Sequence, residues 1–202
     1  MDRISKIISA LFSPILVPTY GMAIAGTLTI LHLLPSSLIW TAVGITFVIT
    51  CLVPVTAIMA MYRTGYIKDP GLNERTERTI PYIVTALCYA GCGFFLYKAN
   101  APFWLPMFFA GGGVACVINI IVNKWWKISA HAAGMGGLVA LMFRIIASHY
   151  ALYNLNVWLS VMIIVAGMVM TSRVYLKRHT LWQVLAGFAN GFICVYLLSM
   201  IH

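Results

Sequence analysis

Charge is what this chain has least of. Of its 202 residues, 8% are Asp, Glu, Lys or Arg, 62% are hydrophobic, and the mean hydropathy is +0.94. A soluble domain carries about 25% charged residues, so most of this surface must be solvated by lipid. Acids are scarcest: Asp2, Asp69, Glu74 and Glu77 are the four. None lies within an apolar run, which argues against a carboxylate proton relay and against a divalent-metal site of clustered oxygen ligands. No filter-like segment supports an ion channel. The five cysteines include no CxxC pair; Cys88 and Cys92 share a helix face and read as packing. No P-loop lysine follows Gly111, Gly112 and Gly113, or Gly134, Gly136 and Gly137, so these glycines read as close helix contacts. Nothing reads as a linker, and a single domain over 1–202 is expected.

What the chain has is long apolar runs. Seven stand at about 10–33, 38–62, 80–98, 102–122, 132–150, 155–173 and 181–201, each near the roughly 20 residues a transmembrane helix needs. They are continuous rather than alternating, which favours helices over a barrel. Residues 1–6 precede a run too long for a signal peptide and read as the start of the first anchor. Pro14 and Pro18 make that first run kinked or partly re-entrant, so the expectation is an all-α, polytopic transmembrane helix bundle of six or seven spans. Trp104, Trp125, Trp126, Trp158, Tyr62, Tyr66 and Tyr82 lie near predicted ends, as an interfacial aromatic belt would.

The few cations are unevenly placed. Arg3 and Lys6 precede the first run, and Arg63, Lys68, Arg75 and Arg78 follow the second. Lys124 and Lys127 follow the fourth, and Arg173, Lys177 and Arg178 follow the sixth. Loops separated by two spans share a membrane face, so 11 of the 13 basic residues lie on one side, leaving Lys98 and Arg144. Arg144, within a span, reads as a structural residue bonded to backbone carbonyls or snorkelling outward. The net charge of +9 is held in short loops between spans, not in a soluble basic surface. Lipid head groups or a phosphorylated substrate therefore fit better than nucleic acid.

Three loops on the common face contain the candidate chemistry. They are Lys68 to Pro81 with Arg75 and Arg78, Lys127-Ile128-Ser129-Ala130-His131, and Ser172-Arg173 to His179 and Gln183. Arginines hold phosphoryl oxygens with forked hydrogen bonds, and backbone N–H groups after Ser129 add donors at a helix start. One histidine can attack phosphorus while another protonates the leaving oxygen. Cations stabilise the transition state without a metal. His179 and Gln183 are four apart and share a helix face, so the Gln183 carbonyl can accept from one ring nitrogen and leave the other to attack.

At these residues the chain resembles the type 2 phosphatidic acid phosphatase superfamily, whose members include membrane lipid phosphatases and relatives of vanadium haloperoxidases. Its third motif, Ser-Arg, five residues, His, three residues, Asp, is similar to Ser172-Arg173, His179 and Gln183. Its second, Pro-Ser-Gly-His, resembles Ile128-Ser129-Ala130-His131. Its first, Lys, six residues, Arg-Pro, resembles Lys68 and Arg75 followed by Thr76, with Arg78 and nearby Pro81 as a second counterpart. The resemblance covers about 68–191. It implies that His179 is the nucleophile, His131 the acid, and Lys68, Arg75, Arg173 and Ser129 phosphate ligands, Arg173 within the catalytic set; Arg78 is carried beside Arg75, and Lys127 is a further expected phosphate-binding cation. Gln183 stands where the family has aspartate, and Ile128 and Ala130 replace its Pro and Gly.

The expected activity is hydrolysis of a lipid phosphate or polyprenyl diphosphate through a phosphohistidine, with no metal and no cofactor. The expected partners are that substrate and the bilayer; oligomeric state is not legible. The alternative is a non-catalytic lipid-binding or transport protein on the same scaffold. The expected location is the cell (inner) membrane as a multi-pass protein. With Lys68, Arg75, Arg78 and Arg173 set aside, seven basic residues still face two, and the positive-inside rule then favours a cytoplasmic site.

Overall fold

The computed structural model describes residues 2–148 and 150–201. Met1, His149 and His202 lie outside the described residues, although the expected domain includes all three and the expected fifth span includes position 149. Among the described residues, besides a 3-10 turn at Ile30–Leu33, eight helices make up the fold: α1 Asp2–Leu11, α2 Val17–Leu28, α3 Ser36–Arg63, α4 Thr76–Lys98, α5 Trp104–Asn123, α6 Ala130–Ala147, α7 Asn156–Tyr175 and α8 Leu181–Ser199. α3 widens to a π-helical stretch over Val48–Leu52 just before Pro54. A proline ring there removes one backbone donor and crowds the preceding turn, which the wider turn accommodates.

α3 to α8 are long and apolar enough to cross a membrane. Their large side chains confirm the solvent: Leu87, Phe94, Val157, Ile164 and Leu197 are each more than 60% exposed. Such an array around a bundle is what lipid solvates and water does not. This is a multi-pass membrane protein.

The first apolar run is not one span. α1 stops at Leu11, Pro14 and Pro18 follow, and α2 has 12 residues, about 18 Å against a hydrocarbon core of about 30 Å. The pair nevertheless follows the bundle from end to end. The Ser9 carbonyl meets His131 at the start of α6, and Thr29 pairs with Ala151 beyond the end of α6. The expected six or seven spans thus resolve into six span-length helices and a broken N-terminal pair beside them.

α6 is the central helix, with Ala132, Met135, Leu138, Ala140, Leu141 and Ile145 fully buried. It runs parallel to α8 at backbone distance. A Cβ on Gly191 would fall 1.8 Å from the Ala133 carbonyl oxygen, and one on Gly136 would fall 2.1 Å from that of Phe188. Gly111 meets the Val195 backbone in the same way, whereas Gly113 has only ordinary contacts. At the far end Arg144 Nε donates to the Ser199 carbonyl at 2.6 Å, placing a cation on the carbonyl end of α8. Cys88 and Cys92 are buried free thiols. The aromatic belt needs one correction. Trp125, Trp158, Tyr62 and Tyr66 are exposed, but Trp104 and Tyr82 are buried; Trp104 stacks on Tyr150 with ring centroids 5.8 Å apart.

Candidate active site

The segment between α7 and α8 shows why Ser172-Arg173 and His179 need their spacing. α7 ends in a Schellman turn: Lys177 N–H donates to Val174 O at 2.9 Å and Arg178 N–H to Arg173 O at 3.1 Å. Lys177 takes the left-handed conformation, φ 53°, that such a stop requires. The reversal brings the His179 amide back to the Arg173 carbonyl, 3.4 Å away. Thr180 then caps α8, its hydroxyl accepting from Gln183 N–H at 3.4 Å while Gln183 Oε1 accepts from Thr180 N–H at 3.2 Å. That is a capping box.

The same Gln183 oxygen lies 3.1 Å from His179 Nδ1. An amide oxygen only accepts, so Nδ1 carries the proton and Nε2 is left with its lone pair. His179 is buried. Burial, then the cations of Arg78 and Arg173, and also Lys127, push its pKa down to about 3, against the Gln183 bond, which favours the charged form. The imidazole is neutral at pH 7.

The other two loops close around it. Arg78, at the first turn of α4, is buried; its Nε donates to Leu72 O at 2.8 Å and its Nη1 to Ile128 O at 3.2 Å. These bonds fix the guanidinium between the first loop and the start of α6. Asn123 Nδ2 donates to Arg75 O at 2.7 Å and ties the first loop to α5. Asp69 and Glu77 accept from Gly71 N–H and Lys68 N–H, each at 2.9 Å, so these acids shape the loop. Ser129 is fully buried as the N-cap of α6, its Oγ accepting from Ala132 N–H at 3.4 Å. Lys127 is half-buried; burial first, and then Arg78, Arg178 and Arg173, lower its pKa, opposed by Glu74.

A cavity of about 660 Å³ joins these parts. His131, His179, Arg78, Arg173 and Arg178 line it, and Arg173 Nε is buried in the fold with no hydrogen-bond partner among the described residues. A buried donor of this kind is expected to be satisfied by something, and a substrate oxygen would do so. Arg75, Lys68, Lys127, Ser129 and Gln183 are not among the lining residues. Of the two candidate arginines in the first loop, Arg78 therefore faces the cavity. Most of the rest of the lining is apolar and runs into the bundle past Tyr89, Cys116, Phe108 and Phe109. Asn119 and Phe109, both lining residues on α5, are ten residues apart, so the slot is about 15 Å deep. Among the described residues no group of three or more His, Cys, Asp or Glu is placed to hold a metal.

Sequence reasoning missed Lys6 and Ser9, which reach the cavity from α1, and Arg178, Asn119 and Asn73, which also line it. Lys6 and Arg178 were legible only as members of the basic face. Ser9 and Asn119 carry no local signal at all.

No curated protein and no solved structure matches the chain. Residues 123–202 match the family model described as PAP2 superfamily. That segment holds His131, Arg173, His179 and Gln183, so the part of the chain bearing the second and third motifs carries the signature of the PAP2 superfamily.

Proposed function

We propose that this protein is a metal-independent phosphatase that hydrolyses a lipid phosphate or polyprenyl diphosphate through a phosphohistidine at the membrane surface. One observation carries the reading: two histidines and three arginines line a cavity whose inner wall is mostly apolar. That asymmetry matches a substrate with an anionic head and a hydrocarbon tail.

His179 Nε2 attacks phosphorus, forming the N–P bond as the P–O bond to the lipid breaks. His131 takes the proton of the singly protonated substrate phosphate and delivers it to the departing oxygen. Water then attacks the phosphohistidine, the N–P bond breaks, His131 takes the proton from water, and inorganic phosphate leaves. Arg78 and Arg173 hold the non-bridging oxygens, and Lys127 adds positive potential behind them. Gln183 orients the nucleophile. Ser129 contributes through the backbone N–H groups of the α6 start, its hydroxyl being engaged as the cap. Lys68 and Arg75 lie further out and attract the anionic head. The excess of basic residues beyond the site favours the cytoplasmic side of the cell membrane for this face.

The test is phosphate release by purified protein in detergent with a chelator present, over phosphatidic acid, phosphatidylglycerol phosphate, sphingolipid phosphates and prenyl diphosphates. His179→Ala is expected to abolish turnover and the acid-labile phosphoprotein. Retained turnover would sink the nucleophile assignment. Binding of these lipids without release across the whole panel would favour a lipid-binding or transport protein instead.

A further inference from the structure

The N-terminal helix carries a contact that links it to the second histidine. His131 Nε2 lies 3.1 Å from the carbonyl oxygen of Ser9, a residue 122 positions earlier. Ser9 sits in the last turn of α1, where carbonyls have no intrahelical partner. A carbonyl only accepts, so Nε2 carries the proton and Nδ1 is the free nitrogen. This mirrors His179, where Gln183 holds Nδ1 and frees Nε2.

The helix is built to sit there. Ser5 and Ser9, one turn apart, are buried, while Ile4, Ile7 and Leu11 are more than half exposed. Its polar face turns inward and its apolar face outward to lipid. Ser9 and Lys6 both line the cavity, and the Ser9 hydroxyl is buried with no partner among the described residues.

We infer that α1 is a positioning element for catalysis: the Ser9 carbonyl holds His131 in one tautomer and orientation, so that Nδ1 faces the leaving oxygen. The inference rests on the proposed phosphatase reaction. In that reaction Nδ1 takes the proton of the singly protonated substrate phosphate and delivers it to the departing oxygen as the P–O bond breaks, and Nε2–H remains on the Ser9 carbonyl throughout. The segment responsible lies outside residues 123–202, the part matched by the family model.

The leaving group separates positioning from general damage. A p-nitrophenolate departs without a proton, whereas an alkoxide needs one. In a chain lacking residues 2–11, turnover of a long-chain alkyl phosphate is expected to fall at least about tenfold, within the roughly 10²–10⁴ that general acid catalysis supplies. The first-turnover burst of p-nitrophenolate, which reports only formation of the phosphohistidine, should hold within about threefold of the full chain on the same scale. A synthetic peptide of residues 2–13 should restore the alkyl activity. Equal loss on both substrates, or no loss, would overturn the inference.

A second measurement uses the intact chain and so survives a truncation that does not fold. Nitrogen-15 shifts of the His131 ring are expected to report a protonated Nε2 and a bare Nδ1. The opposite tautomer would overturn the inference. A full chain that turns over neither phosphate would instead count against the phosphatase reading, while the ring shifts would still decide the tautomer.

Discussion

A histidine attacks phosphorus only while it is unprotonated, and the surroundings of His179 keep it so. Its pKa of about 3 lies below the ordinary value of about 6.5. The native state therefore binds fewer protons than the unfolded chain between these values. The stability this group contributes is complete above pH 6.5 and is lost as pH falls toward 3. After burial, the charge of Arg78 lowers the His179 pKa most. Arg78→Gln should raise the His179 pKa toward 6.5, followed as the pH dependence of its ring carbon shifts; an unmoved pKa would leave the depression to burial, Arg173 and Lys127. Gln183 has two duties at one oxygen, and its variants separate them. Gln183→Leu removes the acceptor for both Thr180 N–H and His179 Nδ1, so stability should fall by about 1 kcal/mol and turnover by roughly 10²-fold or more as the tautomer is lost. Gln183→Glu keeps the reach and adds a negative charge, so the His179 pKa should rise while turnover persists. Unfolding curves and phosphate release check both variants. The His179–Gln183 pair was legible because four-residue spacing on a helix is local information. The Ser9–His131 pair was not, because nothing in either segment's spacing encodes a partner 122 residues away.

Helix contacts set where the two histidines stand. His131 opens α6 and His179 precedes α8, so their separation depends on how closely these helices approach. Gly191 against the Ala133 carbonyl leaves no room for a methyl group, since the obstructing atom is backbone. Gly191→Ala should cost about 1–3 kcal/mol or more by overpacking, and the displaced helix should carry activity down with it. Gly167, on α7, has open space where a Cβ would go; Gly167→Ala should be neutral or stabilise by up to about 1 kcal/mol. Thermal midpoints in detergent and phosphate release test the pair, and equal behaviour of the two variants would refute the close-contact account. At this scale the sequence was readable for α3 to α8, where uninterrupted hydropathy fixes element type and approximate length. It was unreadable for the first run, where hydropathy continues through Pro14 and Pro18 although the helix does not. Gly136 was expected at a close contact, but Gly187 and Gly191 were missed because they stand singly rather than in a cluster.

Over the whole molecule, the basic face read first as a topology signal is also the mouth of an apolar slot. Lipid tails are already in an apolar solvent, so moving one from the bilayer into the bundle gains little hydrophobic free energy. What a slot of fixed depth supplies is shape. A tail that fills it keeps the phosphorus beside His179, whereas a longer one must bend or withdraw the head group. Turnover should therefore pass through a maximum as the chain length of a saturated alkyl phosphate increases, rather than rising steadily. Phe108 and Phe109 line the inner part of the cavity and Cys116 one wall, so two variants should move that maximum in opposite directions. Cys116→Trp fills the slot and should shift the optimum to shorter chains, leaving a phosphate with no tail nearly unaffected. Phe109→Ala deepens the slot and should shift it to longer chains, at a stability cost of about 3–5 kcal/mol that makes the tryptophan variant the cleaner test. A chain-length profile with no maximum, or one that Cys116→Trp leaves in place, would mean that the tail stays in the bilayer and only the head group enters.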